Sequence, residues 1–171
     1  MEHYIRANIG EGIKDFRLPR YHEIPDVGLY LEQVVKYMGD YLAPLEISIT
    51  SSMVSNYVKK GLVSNPVKKQ YSREQIAYLL FISAIKSVVS MDDILLMVGI
   101  QKTTYSVERA YNYFCNELEN ILQFVFGLKP EMEHVGVDHT DEKLMLRNTI
   151  ITVAHKVYLN ALFQALRRQE G

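Results

Sequence analysis

The sequence predicts an all-α protein interrupted by at most one short hairpin. Three features carry that expectation. Leu29, Tyr30, Gln33, Val34, Tyr37 and Tyr41 recur at spacings that build one helical face. Ser72-Arg73-Glu74-Gln75 has the form of a capping box, in which the serine and the glutamine satisfy two orphan backbone donors reciprocally. Val107, Tyr111, Phe114, Leu118, Ile121 and Val125 alternate steps of four and three, the mark of a heptad-like seam.

Residues 1–25 read as an extended arm, because Gly10, Gly12, Pro19 and Pro25 interrupt any helix. In Leu18-Pro19 and Ile24-Pro25 the residue before each proline is forced to be extended. Gly10-Glu11-Gly12 lacks the preceding strand and the third glycine of a dinucleotide loop. A compact domain is expected over residues 26–100. Its first helix starts after Asp26, a good N-cap, and ends near Ala43-Pro44. A second follows a cap at Thr50-Ser51, turns Met53 or Val54, Tyr57 and Val58 inward, and stops before Gly61, where a left-handed residue is wanted. Residues 62–71 form an irregular or hairpin-like connection. The capping box opens a third helix reaching about Val89, and Ser90-Met91-Asp92-Asp93 caps a short fourth ending near Gly99. Residues 104–171 form a helical hairpin, with helices over about Tyr105–Phe126 and Asp141–Arg168. The last would be about 40 Å long, with Ile151, Ala154, Tyr158, Ala161 and Ala165 as its stripe. The two seams could pair with each other or across a dimer axis, and the sequence leaves both open.

Composition excludes several classes. With 171 residues, 48% hydrophobic and 23% charged, the chain is of ordinary globular type and can build its own core. The single Cys115 cannot form a disulfide framework, which fits a reducing, cytoplasmic setting. The first twenty residues hold no apolar run of signal-peptide length, and the longest apolar stretch, around Ile76 to Ile85, is too short to span a bilayer. The net charge of −1 hides an asymmetry: residues 1–49 sum to −3, residues 50–90 to +5, and residues 91–171 to −3. A basic centre between acidic flanks suits a polyanionic partner.

That centre also carries a recognisable order of residues. A short helix ends Asn56-Tyr57-Val58-Lys59-Lys60-Gly61-Leu62-Val63. Pro66, Lys68-Lys69 and Tyr71-Ser72 follow, then a helix with Ile76, Leu79 and Ile82. This resembles the MerR-type winged helix-turn-helix, in which a recognition helix ends Tyr-x-x-x-Gly-Leu, a proline starts the wing and Tyr-Ser opens the next helix. With Leu18-Pro19-Arg20-Tyr21, Leu29-Tyr30 and Gln33-Val34, the chain also resembles an uncharacterised bacterial domain-of-unknown-function family with such a core. The resemblance implies a DNA-binding transcriptional regulator. MerR-type helices usually carry an arginine and a second tyrosine where this chain has Ser55 and Asn56, and the expected wing lacks the usual Gly-Tyr-Arg.

The residues themselves support the same expectation. With Val54, Tyr57 and Val58 inward, the opposite face presents Ser52, Ser55, Asn56 and Lys59, small and polar enough for a major groove. Lys60, Lys68, Lys69 and Arg73 would lie over backbone phosphates. Double-stranded DNA is therefore the expected partner, and the C-terminal helices are expected to form a homodimer or a sensing surface. A protein-interaction module reusing the same fold is the alternative. Glu131, Glu133, His134, Asp138, His139, Asp141 and Glu142 have metal-ligand chemistry, but their spacing matches no standard site. Thr140-Asp141-Glu142 is explained as a helix start. His155 reads as a packed structural histidine and Cys115 as an unreactive thiol. No nucleophile triad, phosphate loop or metalloprotease motif is present, so neither catalysis nor a cofactor is expected.

Overall fold

The computed structural model describes residues 2–133 and 139–170. In chain order the elements are α1 (Glu2–Glu11), β1 (Leu29–Tyr30), α2 (Leu31–Leu42), α3 (Ser51–Lys59), β2 (Gln70–Tyr71), α4 (Arg73–Ile85), α5 (Met91–Thr104), α6 (Val107–Val125) and α7 (Asp141–Glu170). The protein is all-α with one short antiparallel strand pair, Leu29 opposite Tyr71 and Tyr30 opposite Gln70. Among the described residues no helix is long and apolar enough to cross a membrane.

The packing follows from α4. Its Ile76, Ala77, Leu79, Leu80, Ile82, Ala84 and Ile85 are all buried, so apolar side chains surround the helix instead of forming a stripe. Around it lie Val34, Met38 and Leu42 of α2, Val54 and Tyr57 of α3, and Phe114, Leu118 and Ile121 of α6. The Ser72–Gln75 capping box forms: Ser72 N–H donates to Gln75 Oε1 (2.7 Å) and Gln75 N–H to Ser72 Oγ (3.3 Å).

Several expectations need correction. Residues 2–11 are helical, not extended. Ile5, Ile9 and Ile13, four apart, bury one edge, and α1 lies against α7. Gly10 does not break this helix, and it lies against the Leu128 side chain. The arm proper is residues 18–26, which run along α6. Arg20 donates to both oxygens of Glu119 (2.6 and 2.9 Å) and to Asn116 Oδ1 (2.8 Å). Tyr111 donates to the Pro19 carbonyl (2.7 Å) and Asn112 accepts from Tyr21 N–H (2.9 Å). Cys115 is sealed beneath this arm, where burial pushes its thiol up to about 12.

The first helix of the 26–100 region starts at Leu31, five residues after Asp26. Gly28 takes a left-handed turn (φ 77°) and sends Leu29–Tyr30 into the strand pair instead. The fourth helix does not stop at Gly99 but continues to Thr104. Gln101 holds that extra turn, accepting from Tyr78 hydroxyl and donating to Tyr105 carbonyl, both at 2.7 Å.

Residues 104–171 do not form a hairpin. Lys143 lies over Tyr113, Arg147 faces Glu117, and Tyr158 packs edge-on against Phe126. The partners rise together along both chains, so α6 and α7 run parallel. Asn120 donates to the Glu133 carbonyl (2.8 Å), which places the start of the return segment back alongside α6. The two helices pair within the chain, through Ile150, Val153, Ala154 and Val157 of α7. Ile151 of the expected stripe is only half-buried, and His155 is exposed rather than packed. Within the seam Glu117 is fully buried, with Arg147 Nε 3.4 Å from its Oε1. Burial raises its carboxyl above the usual range, and the arginine partly opposes that.

Candidate nucleic-acid interface

Helix α3 and the loop after it are built by local rules. Thr50 caps the helix, its hydroxyl accepting from Met53 N–H at 3.2 Å. Val54 and Tyr57 are buried, so the turns of the helix leave Ser52, Ser55, Asn56 and Lys59 exposed, with Lys60 at the C-cap. The helix ends in a Schellman motif. Gly61 (φ 78°) donates to Val58 carbonyl at 3.0 Å, and Leu62 N–H reaches back to Tyr57 carbonyl at 3.0 Å. Leu62 and Val63 then plug into the core, fixing where the next segment leaves.

That segment is a tight hairpin. Val67 and Gln70 exchange both backbone hydrogen bonds (3.1 and 2.9 Å), so Lys68 and Lys69 are the two residues of its loop. Both lysines have positive φ, 51° and 64°. A two-residue loop with this signature is a type I′ turn, whose twist matches the flanking strands and which favours Asn-Gly. Lysine in this conformation is strained by roughly 1 kcal/mol or more per residue. Conversion of Lys68-Lys69 to Asn-Gly is therefore expected to raise stability by about 1–2 kcal/mol, read as a higher urea midpoint at unchanged slope. An unchanged or lower midpoint would remove the strain argument.

Gln75 holds the hairpin to the core. Its Nε2 donates to Ser64 carbonyl (2.9 Å), Ser64 Oγ (3.1 Å) and Asn65 carbonyl (3.0 Å), while its Oε1 completes the capping box. The capping role was readable from sequence; the three contacts to residues 64 and 65 were not, because no local spacing encodes them.

The structure separates one expected contact from the rest. Arg73 faces inward: its Nε donates to Ile24 carbonyl (2.8 Å) and its Nη2 to His22 carbonyl (3.2 Å), with the guanidinium over Tyr21. These bonds commit it to anchoring the arm. Lys59, Lys60, Lys68 and Lys69 are exposed, and none has an ion-pair partner among the described residues. They leave an uncompensated positive surface over the end of α3 and the hairpin tip.

Among the described residues no group of three His, Cys, Asp or Glu is placed to hold a metal. Of the acidic cluster near α7, His134 and Asp138 lie outside the described residues. Asp141 and Glu142 stand in the first turn of α7, where the helix dipole favours anions.

A helical core, a short hairpin and a surface of lysines unpaired among the described residues define the class: a small all-α protein with a basic helix-and-hairpin face. The chain belongs to the family described as Domain of unknown function (DUF1836), whose model matches residues 19–114. That span begins in the arm and ends in α6, leaving α1 and α7 outside it. No curated protein and no solved structure matches the chain.

Proposed function

We propose that the protein is a DNA-binding transcriptional regulator whose residues 26–100 form a MerR-like winged helix-turn-helix. In this reading α2 and α3 are the helix pair, α3 enters the major groove, and the hairpin is the wing. The observation that carries it is the set of four exposed lysines without carboxylate partners among the described residues, two of them kept in a strained loop. Asn56 suits bidentate pairing with an adenine edge, and Lys59 suits guanine or a phosphate. Lys60, Lys68 and Lys69 supply backbone contacts that set register.

Four phosphate contacts release about four counterions. The logarithm of affinity for random-sequence duplex should then fall against the logarithm of salt concentration with a slope of roughly −3.6 per subunit. Absence of binding at low salt, or a slope near zero, would count against the reading.

A homodimer built on the C-terminal helices belongs to the same proposal. Because α6 and α7 pair within the chain, the contact falls to the outer face of α7. There Leu159, Phe163 and Leu166 are 44, 48 and 40% exposed at steps of four and three. A two-fold dimer would read paired half-sites. Light scattering is expected to give twice the 19.8 kDa chain mass, reduced to one by Phe163→Glu.

The alternative, a protein-interaction module on the same scaffold, draws on Val67, an apolar side chain 73% exposed beside the hairpin tip. Ser55 and Asn56 standing where arginine and tyrosine are usual favours it too. Salt-insensitive capture of a protein, with no DNA binding, would select it.

A further inference from the structure

A cavity of about 370 Å³ opens between α4, α5, α6 and the first turns of α7. Its size lies within the range of pockets that enclose small organic molecules. Tyr78 and Phe81 of α4, Met97 of α5, Tyr105, and Tyr113 and Phe114 of α6 form most of its wall. Protein interiors are otherwise close-packed, and nothing in the described chain fills this space.

Two polar groups of the wall, Gln101 and Thr104, are already committed within the chain. Gln101 is bonded on both sides, by Tyr78 and Tyr105. The Thr104 hydroxyl donates to the Ile100 carbonyl at 2.9 Å. The wall is mainly apolar and aromatic. An apolar body fits it.

The rim differs. Arg109 stands over Tyr105 (5.2 Å) and Lys143 over Tyr113 (5.2 Å); Lys102, which does not line the cavity, lies over Tyr78 (5.6 Å). Each of these rings thus already has a cation on one face. Against them, Glu142 is the one carboxylate among the described lining residues. Arg109 is exposed and has no carboxylate within ion-pair distance among the described residues. A cationic ligand would meet like charge at the rim. An anionic head beside Arg109 would gain charge-assisted hydrogen bonds.

We propose that this cavity binds a small organic monoanion, with an aromatic or alkyl body against the tyrosine and phenylalanine wall and one carboxylate or sulfonate beside Arg109. The site is separate from the basic face of α3 and the hairpin, and ligand binding there does not require that the protein contact DNA.

The test titrates the full chain with 1-anilinonaphthalene-8-sulfonate and follows its fluorescence. Decanoate, decanol and decylamine, matched in tail and differing in head charge, then compete for the bound dye. Saturable binding of one dye per chain is expected. Decanoate should displace it at a concentration at least tenfold below that of decylamine, with decanol between. Arg109→Glu, an exposed substitution that leaves the melting transition in place, should abolish the preference for decanoate. Ala110→Phe, which fills the cavity, should weaken all three competitors together. The proposal is overturned by non-saturating dye binding, by equal competition from the three heads, or by an Arg109→Glu variant that keeps the decanoate preference.

Discussion

Replacement of Arg147 by methionine is expected to lower the free energy of unfolding by about 3–5 kcal/mol at pH 7. The reason lies in the parallel seam of α6 and α7. Glu117 is fully buried, and neither of its oxygens accepts a hydrogen bond among the described residues. Arg147 Nε, 3.4 Å away, offsets the charge, and that arginine is itself 21% exposed. Removal of the arginine strands an uncompensated carboxylate in the core. Removal of the carboxylate leaves an arginine that water can reach. The two substitutions are therefore unequal, and adding Glu117→Gln to Arg147→Met should recover most of the loss.

The same pair sets a pH dependence. Burial raises the Glu117 carboxyl in the folded state, and Arg147 lowers it in opposition. A raised folded value means that the folded state holds its proton where the unfolded state has released it. Stability is then lost as pH rises from the usual glutamate value through the raised one. Without Arg147 that loss grows, so Arg147→Met should be closest to wild type in acid and furthest from it at neutral pH. Urea denaturation at pH 4.5, 6 and 7.5 reads the trend. A deficit independent of pH would show that Arg147 does not act through the charge of Glu117.

The second large effect concerns the hairpin tip. Lys68→Glu with Lys69→Glu should reduce affinity for duplex DNA about a hundredfold. Two charge-assisted phosphate contacts at roughly 1.5 kcal/mol each are lost, and 1.4 kcal/mol is a factor of ten. Stability should hardly change, because glutamate is no better suited than lysine to the left-handed positions the two residues occupy. The Asn-Gly exchange has the opposite signature, a gain in stability with a loss of affinity. Together the two variants distinguish strain retained for a contact from strain without a use.

Much of this architecture was legible where the determinants are local. Thr50, Gly61, and Ser72 with Gln75 mark their helix ends through bonds that span no more than five residues. The buried face of α3 follows from Val54 and Tyr57 in the same way. What stayed hidden depends on partners distant in sequence. Leu29–Tyr30 is a strand only because Gln70–Tyr71, some forty residues on, completes it. Gly10 looks like a helix breaker, but Ile5 and Ile9 bury this helix against the rest of the chain. Apolar stripes at helical spacing on α6 and α7 are compatible with either direction, so the parallel pairing could not be read from them. Arg73 misled for a related reason. A basic residue at a helix start reads as a phosphate contact, and the carbonyls of His22 and Ile24 that it binds lie about fifty residues away.

The central claim is that the basic face of α3 and the hairpin contacts DNA. It is tested most directly by fluorescence anisotropy of a labelled random-sequence duplex, titrated at several salt concentrations with wild type and the Lys68→Glu/Lys69→Glu variant. A Lys14→Glu/Lys156→Glu variant, with the same change in net charge on other surfaces, serves as control. Steeply salt-dependent binding by wild type and control, weakened about a hundredfold and with a shallower slope in the hairpin variant, is the predicted result. Equal loss in both variants, or no binding by wild type at low salt, would contradict it and direct attention to a protein partner for the same face.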